Sequence, residues 1–272
     1  MTRLADAHIL ITGGSQGIGL ALARQCQSRG ARVSLIARDS SRLIKVAAQL
    51  NAENFGKPVI TQSADVTDAT ALAQAVTQLV DQNGPVDVLV ANAGAAQPGH
   101  IESLPIDSFS EQMQLNYLGT IYAVRAVLPS MISRKRGHLM LVSSDAGLVG
   151  VYGYSAYSPT KFAVKGLAET LRSEMRPHSI KVSCVFPPDT DTPGLAAEAL
   201  TKPAATALIS GAIRVRSADE VARAMVKGIE RNRLWVTADL GGAALVRLSG
   251  LLGPYVRWSM DRHVRKAERE AR

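Results

Sequence analysis

The sequence predicts an α/β fold in which a doubly wound parallel sheet lies between two layers of helices. Short apolar runs rich in β-forming residues alternate with helical segments from residue 8 to residue 186. The runs are apolar along both faces, as strands buried between helix layers require. The first run ends in glycines that open a helix, which is typical of the first strand–helix turn in such sheets. A chain of 272 residues, 46% of them hydrophobic, is large enough to bury a sizeable core.

Each element has its own signal along the chain. The predicted strands are 8–12, 33–37, 59–64, 86–90, 139–143 and 182–186. The predicted helices are 20–27, 41–50, 69–81, 109–131 and 157–175. Gly30 closes the first helix, and Ser40 or Ser41 is the predicted N-cap of the second. We therefore expect six parallel strands connected by helices.

The chain after the sixth strand is less regular. Residues 194–216 form a long segment of mixed character. Because ligands bind beyond the carboxyl ends of the strands in such sheets, this segment is predicted to be a substrate-covering flap, with a plain surface loop as the alternative. A capping box formed by Ser217 and Glu220 then predicts another helix. Residues 1–238 are therefore predicted to form one domain.

Residues 239–272 form a basic amphipathic tail. Residues 241–272 contain seven basic and three acidic residues, a net charge of +4 out of +8 for the whole chain. Gly253 and Pro254 are predicted to divide the tail into two short helices. An apolar face with flanking arginines suits a helix on an anionic membrane surface, with packing on the protein's own core or on a partner subunit as the alternative. The apolar face on a helical wheel consists of Leu245, Leu248, Leu252, Tyr255 and Val256.

Composition argues against several other functions. No basic stretch is interleaved with aromatic residues, so we expect no nucleic-acid binding. Cys26 and Cys184 are far apart and lack metal-ligand spacing, so we expect no metal site and two reduced thiols in a reducing compartment. The N-terminus lacks the apolar core of a signal peptide, and no uncharged apolar run reaches the ~18 residues of a membrane-spanning helix. We therefore expect a cytoplasmic protein.

The first strand–helix turn predicts a dinucleotide site. Its sequence is Thr12-Gly13-Gly14-Ser15-Gln16-Gly17-Ile18-Gly19. Without Cβ atoms, such a turn lets backbone N–H groups approach a pyrophosphate, and the helix N-terminus adds a favourable dipole. Since the turn lies between the first strand and the first helix, the predicted cofactor-binding residues here are Gly13, Ser15, Gln16, Gly17, Ile18 and Gly19.

The residues after the second and third strands predict which dinucleotide binds. Arg38 stands where an acidic residue would bind the ribose diol of NADH. Its guanidinium pairs well with a 2′-phosphate, so we expect NADPH/NADP+, although the adjacent Asp39 could also point inward. Asp65 and Val66 follow the third strand, and the Asp65 carboxylate is predicted to accept from the adenine amino group. An N-cap or loop aspartate is the alternative for Asp65.

The pair Tyr157 and Lys161 predicts hydride transfer between a nicotinamide and a carbonyl or an alcohol. Residues four apart lie on one helix face, and a nearby ammonium is expected to lower the tyrosine pKa from its usual ~10. Tyr157 would then donate a proton to a carbonyl oxygen, while Lys161 also holds the cofactor ribose. Ser144 would hydrogen-bond the carbonyl, and Asn116 would hold a water that links Lys161 to solvent. Pro159 requires the helix to begin very near Tyr157, or to bend there.

Together these residues resemble the short-chain dehydrogenase/reductase family, from about His8 to Ala238. The motif Asn92-Ala93-Gly94 belongs to the same likeness. The resemblance implies a single-domain Rossmann fold, a Ser–Tyr–Lys–Asn tetrad in the roles given above, and cofactor contacts from Asn92, Ala93 and Gly94. It also implies homodimers or homotetramers built partly on the two long helices.

A narrower likeness points to NADPH enzymes of this family that reduce a long-chain amino-ketone lipid. It rests on residues 152–157, 161–169 and 201–203 and on the run Pro187-Pro188-Asp189-Thr190-Asp191-Thr192-Pro193-Gly194. By position, Thr190 is expected to reach the nicotinamide carboxamide and Thr192 the phosphates, with Pro187 also at the cofactor. Asp145 is the predicted partner of the substrate amine, and Asp189 and Asp191 are further acidic residues near the expected pocket.

Two other functions remain open at this point. One is a carbonyl reductase of the same family that acts on 3-oxoacyl, retinoid or steroid substrates. The other is a regulatory protein that binds NADP without turnover. The intact Ser144, Tyr157 and Lys161 favour an enzyme, because a sensor needs no proton donor.

Overall fold

The computed structural model describes residues 1–270, and it contains the predicted α/β sandwich. The last two residues of the predicted tail, Ala271 and Arg272, lie outside the described residues. The strands are β1 (His8–Thr12), β2 (Arg32–Ala37), β3 (Ile60–Ser63), β4 (Val88–Ala91), β5 (Gly137–Val142), β6 (Ile180–Phe186), β7 (Thr190–Asp191), β8 (Arg216–Ser217) and β9 (Trp235–Thr237). The helices are α1 (Gly17–Gln27), α2 (Ser40–Ala52), α3 (Ala69–Asn83), α4 (Asp107–Met113), α5 (Gly119–Arg134), α6 (Ser158–Glu174), α7 (Pro193–Ala199), α8 (Ala204–Gly211), α9 (Ala218–Glu230) and α10 (Leu240–Glu270).

Within residues 1–270, seven strands form one parallel sheet in the order β3-β2-β1-β4-β5-β6-β9. The strand order reverses between β1 and β4, which opens a crevice at the carboxyl ends of the strands. Thr12 pairs with Ala91, Ala91 with Leu141, and Leu141 with Cys184. This register places the loops that follow β1, β4, β5 and β6 side by side along one edge.

The sheet separates two hydrophobic cores because successive side chains of a strand point to opposite faces. Ile9 and Ile11 of β1 lie in the core beneath α1, α2 and α9. Leu10 lies in the core beneath α3, α5 and α6. The fully apolar strands predicted from the sequence are thus buried on both faces, and they hold the carboxyl edge rigid.

The six predicted strands are confirmed, and several details differ. Asp39, not Ser40 or Ser41, caps α2, because its carboxylate accepts from the Arg42 N–H at 2.9 Å. The predicted helix 109–131 is longer and contains a π-helical turn, Gln114–Leu118, between α4 and α5. The short strand β9 and the small β7–β8 sheet were not predicted. The capping box at Ser217 is confirmed.

The tail folds into α10, and its break does not lie at the predicted position. Pro254 is inside the helix, and the non-helical residue is Leu248, with φ −122° and ψ 17°. The break thus lies six residues before the proline, beyond the Gly250 carbonyl with which the proline ring would clash. The predicted apolar face is also divided: Leu245 packs toward the core, whereas Leu248 and Tyr255 are exposed. Among the described residues, no helix has both the length and the apolar character needed to cross a bilayer.

Candidate active site

A cavity of about 650 Å³ opens at the carboxyl edge of the sheet. It brings together nearly all the residues predicted for the site. Those that line it are Gly13, Ser15, Gln16, Gly17, Ile18, Arg38, Asp65, Val66, Asn92, Ala93, Gly94, Ser144, Asp145, Tyr157, Lys161, Pro187, Thr190 and Thr192. The other two, Gly19 and Asn116, lie behind its wall in α1 and in the π-helical turn.

The glycine-rich turn is packed too closely for side chains. Gly13 and Gly17 have φ values of +66° and +55°, in the region that favours glycine. A Cβ on Gly19 would lie 2.4 Å from the Gly13 carbonyl oxygen. The Asn92 side chain fixes the same carbonyl by donating to it at 3.1 Å. The turn is therefore a rigid backbone surface at the N-terminus of α1, which suits a pyrophosphate.

The end of the cavity beside β2 and β3 carries the groups predicted to bind the ribose and the adenine of the cofactor. The Arg38 side chain is 73% exposed, and its Nη1 lies 3.8 Å from Oδ2 of Asp65. Asp65 Oδ1 accepts from the backbone N–H and the hydroxyl of Thr67. Asp39 also lines the cavity, and its carboxylate is held at the start of α2, where Oδ1 accepts from the Ser41 hydroxyl and the Arg42 N–H. The sequence analysis missed Arg42, which also lines the cavity and donates to Gln16; its spacing of four residues from Arg38 was the available signal.

Tyr157 stands at the N-cap of α6, with Pro159 in the first turn. This position resolves the conflict seen in the sequence, since proline is tolerated there. Ser144, just after β5, caps a short 3-10 turn by accepting from the Ala146 N–H at 3.2 Å. Burial raises the pKa of the Tyr157 phenol, and the negative charge of Glu198 adds to the rise, while a hydrogen bond with Ser144 opposes it. Tyr157 therefore keeps its proton at neutral pH.

Lys161 lies one turn further along α6 and is buried. Its Nζ donates to the Val142 carbonyl at 3.1 Å and lies 5.6 Å from the centre of the Tyr157 ring. Burial lowers the pKa of Lys161 to about 8. The prediction that Lys161 lowers the pKa of Tyr157 is wrong for this structure, because burial and the carboxylate of Glu198 outweigh an ammonium that points to a carbonyl of β5.

Asn116 holds the loop after β4 against α6. Its Oδ1 accepts from the Ala95 N–H, and its Nδ2 donates to the Ala95 carbonyl, both at 2.9 Å. Nδ2 also donates to Thr160 at 3.1 Å. A Cβ on Gly94 would lie 2.8 Å from Asn116 Oδ1 and 3.3 Å from Lys161 Nζ, so the two side chains meet at this loop. Both N–H groups of the amide are used, whereas Oδ1 can accept a second hydrogen bond, so the water contact stays a prediction.

The loop after β6 forms the opposite wall. The Pro187 carbonyl accepts from the Asp145 N–H at 3.1 Å, and Thr190 donates to the Pro188 carbonyl at 2.7 Å. Thr192 caps α7, and its methyl group lies 3.0 Å from where a Cβ on Gly17 would be. Thr192 thus faces the glycine-rich turn, in agreement with its predicted place near the phosphates.

The wall of the cavity includes helices that the sequence did not predict. Residues of α7, α8 and α10 cover the cavity, so the segment predicted as a flap or a loop is helical and contributes to it. The apolar side chains that line this part of the cavity include Ile209 and Ile213 from the segment and Val256 and Met260 from α10.

Asp145 Oδ1 is buried without a hydrogen-bond partner, and burial raises its pKa to about 7, with the carboxylates of Asp239 and Asp189 adding to the rise.

The arrangement suits a dinucleotide and a ketone in one cavity. The turn that excludes Cβ atoms suits the pyrophosphate of NADPH, and the cation at the ribose end suits its 2′-phosphate. The protonated phenol lies at the other end, where the reactive ring would bind. NADPH would lie along Gly13 and Arg38, with its reactive ring toward Tyr157. Among residues 1–270, no cluster of three or more His, Cys, Asp or Glu side chains has the geometry to hold a metal ion.

Comparison with known proteins agrees with this chemistry. A family model described as short chain dehydrogenase matches residues 7–203. A 3-dehydrosphinganine reductase of Danio rerio is 43% identical over 228 residues, which cover 83% of this chain and 69% of that protein. A 3-ketodihydrosphingosine reductase of Dictyostelium discoideum is 39% identical over 269 residues, covering 93% and 80%.

Solved structures show the same architecture. A short-chain dehydrogenase from Sphingobium yanoikuyae in complex with NADPH superposes with a TM-score of 0.78 at 29% identity, covering 94% of this chain and 96% of that one. Levodione reductase superposes with a TM-score of 0.77 at 25% identity, covering 88% and 99%.

Proposed function

The chain belongs to the short-chain dehydrogenase/reductase family, and we propose from this premise that it reduces 3-ketodihydrosphingosine to dihydrosphingosine with NADPH, in sphingolipid synthesis. One observation carries the proposal: Ser144, Tyr157 and Lys161 line the same cavity as the glycine-rich turn. The relatives that share about 40% of the sequence over most of the chain favour this substrate. They favour it over 3-oxoacyl, retinoid or steroid ketones, and the proton donor favours an enzyme over a regulatory protein.

The reaction divides between the cofactor and the chain. Bound NADPH supplies the hydride to the ketone carbon. The Tyr157 hydroxyl donates its proton to the ketone oxygen, and the Ser144 hydroxyl donates a hydrogen bond to the same oxygen. Lys161 holds the cofactor ribose. Together with Asn116, it also holds the loop after β4 against α6. Residues of α8 and α10 cover the cavity and exclude water.

The remaining predicted contacts hold the cofactor. The glycine-rich turn from Gly13 to Gly19, with Ser15, Gln16 and Ile18, binds the pyrophosphate. Arg38 pairs with the 2′-phosphate, and Asp65 and Val66 contact the adenine. Asn92, Ala93 and Gly94 lie along the ribose. Thr190 reaches the nicotinamide carboxamide with Pro187 beside it, and Thr192 contacts the phosphates.

The purified chain is expected to oxidise NADPH in the presence of 3-ketodihydrosphingosine, measured as loss of absorbance of the reduced cofactor. Because Arg38 is expected to pair with the 2′-phosphate, kcat/KM with NADPH is expected to exceed that with NADH by about tenfold or more. Acetoacetyl and steroid ketones serve as comparison substrates. Faster turnover of either of these, or equal use of NADH, would contradict the assignment.

We also propose that α10 rests on the cytoplasmic face of a membrane. After the break at Leu248, the residues Leu251, Tyr255 and Trp258 recur at spacings of four and three residues, and their exposed fractions are 79, 65 and 53%. They form one stripe on the face away from the cavity, with arginines beside it; Arg262 stacks on Trp258 at 5.0 Å. Since the other face of α10 covers the cavity, this placement would bring the mouth of the cavity to its lipid substrate.

The double variant Leu251→Gln/Trp258→Gln is expected to bind phosphatidylserine vesicles about tenfold more weakly in a sedimentation assay, because both side chains lose apolar contact with the bilayer. The matched control is Ile44→Gln/Ile106→Gln, which removes two isoleucines of similar exposure, 67 and 81%, elsewhere on the surface. Equal binding by the two double variants would exclude α10 as the membrane contact.

Two further proposals concern the cellular location and the oligomeric state. The free, buried Cys26 and Cys184 suit a reducing compartment, which supports a cytoplasmic location. A homodimer or homotetramer packed through α5 and α6 would cover Phe162, which is 43% exposed on α6.

A further inference from the structure

Glu198 of α7 lies in the wall of the cavity close to Tyr157. Its Oε2 accepts from the Tyr154 hydroxyl at 2.8 Å, and the Tyr154 ring lies 5.5 Å from the Tyr157 ring. Apart from burial, the Glu198 carboxylate makes the largest contribution to the raised pKa of Tyr157. Glu198 is therefore a negative charge held near the atom that protonates the ketone.

This carboxylate has no cationic partner of its own. The nearby Asp189 pairs with Lys202, whose Nζ lies 3.7 Å from Asp189 Oδ2 and donates to Ser210 at 3.2 Å. Lys161 donates to β5 instead. Among the described residues, no cation lies within 4.0 Å of the Glu198 carboxylate, and its Oε1 has no hydrogen-bond partner. Burial raises the pKa of Glu198, and this rise prevails over the opposing effects of the Tyr154 hydrogen bond and of the Lys202 and Lys161 ammoniums, which lie beyond ion-pair distance.

A negative charge at this position is unfavourable for a neutral ketone. It stabilises the protonated phenol against the phenolate that must form when Tyr157 gives up its proton. A substrate with a positive charge beside its ketone would cancel this effect and supply the missing partner. The ammonium of 3-ketodihydrosphingosine is on the carbon next to the ketone, so it enters the same part of the cavity.

We infer that Glu198 binds the substrate ammonium and selects amino-ketones over neutral ketones. The inference rests on the proposed function and assigns the substrate amine to a residue other than Asp145, the residue predicted from the sequence. Asp145 also lines the cavity, but its unpartnered Oδ1 faces Gly242 at the start of α10, and the Asp239 carboxylate acts on it. It is not among the groups that shift the pKa of Tyr157. Glu198 has the direct electrostatic connection to the reaction centre.

The test compares kcat/KM for 3-ketodihydrosphingosine with kcat/KM for the same long-chain hydroxy-ketone without the amine. The wild-type ratio is expected to favour the amine by about ten- to hundredfold, the range for a hydrogen bond to a charged group. Glu198→Gln keeps an acceptor for Tyr154 and is expected to lower this ratio about tenfold, mainly through KM. Asp191→Asn, which removes an exposed carboxylate of β7, is the matched control and should leave the ratio unchanged.

Calorimetric binding of dihydrosphingosine to the NADP+-loaded protein supplies a readout that does not depend on turnover. Glu198→Gln should weaken it about tenfold while the affinity for NADP+ stays the same, which also shows that the variant folds. A wild type that turns over both ketones equally, or a lower ratio in Asp145→Asn but not in Glu198→Gln, would overturn the inference and leave the reductase function intact. A wild type that reduces neither long-chain ketone but reduces other ketones would refute the proposed function, and the inference with it.

Discussion

Replacing Tyr157 by phenylalanine is expected to lower kcat for the reduction of 3-ketodihydrosphingosine by about a hundred- to ten-thousandfold. The variant removes one hydroxyl at the N-cap of α6 and keeps the ring, which packs beside Tyr154. The hydride would then arrive at a ketone whose oxygen has no proton donor except Ser144. Because Tyr157 keeps its proton at neutral pH, the wild-type enzyme has the donor ready in the direction of reduction.

The measurement is steady-state turnover together with NADPH affinity from fluorescence titration. NADPH affinity should change little, since the glycine-rich turn and Arg38 are untouched. Tyr152→Phe is the matched control, because its hydroxyl faces His100 at 3.3 Å and does not line the cavity. If Tyr157→Phe retained more than a tenth of the wild-type kcat, the phenol would not be the acid.

Replacing Gly19 by alanine is expected to disrupt the cofactor site at its most tightly packed point. The new methyl group would lie 2.4 Å from the Gly13 carbonyl oxygen and 2.8 Å from the Asn92 side chain. Since the carbonyl belongs to the backbone, the turn itself must move, and overpacking of this kind costs about 1–3 kcal/mol of stability. The displaced N–H groups should weaken NADPH binding by about tenfold or more.

Urea unfolding and NADPH titration measure the two effects separately. The matched control is Gly166→Ala on the exposed side of α6, where a Cβ meets nothing within 4 Å. This change should stabilise the protein by about 0.5–1 kcal/mol, because alanine restricts the unfolded chain and favours the helix. Wild-type stability and NADPH affinity in Gly19→Ala would mean that the turn has room for a Cβ atom at this position.

The sequence predicted the parts of the molecule that follow from local pattern. Six strands buried on both faces leave uninterrupted apolar runs, and the glycine-rich turn has a fixed spacing, so both could be recognised without coordinates. Pro159 even located the start of α6. The strand β9 was missed because three residues are too few for a periodic signal.

The features that were missed depend on tertiary contacts. The helical wheel of the tail placed Leu245 and Tyr255 on one face, but the break at Leu248 turns one toward the core and leaves the other exposed. The pKa of Tyr157 is raised and not lowered, contrary to the prediction from the sequence, and this difference also depends on tertiary contacts. Spacing alone brought Lys161 within reach of the phenol, whereas Glu198 comes from a helix some forty residues later in the chain.

The π-helical turn Gln114–Leu118 restricts the changes in length that this segment of the chain can accept. Each residue of an α-helix advances the side-chain direction by about 100°. Loss of one residue from this turn would restore regular α geometry and rotate either Asn116 away from Ala95 or the buried side of α5 away from the sheet. Substitutions on the exposed side of this segment should be tolerated, but a single-residue deletion should not, so the segment is constrained in its residue count as well as in its chemistry.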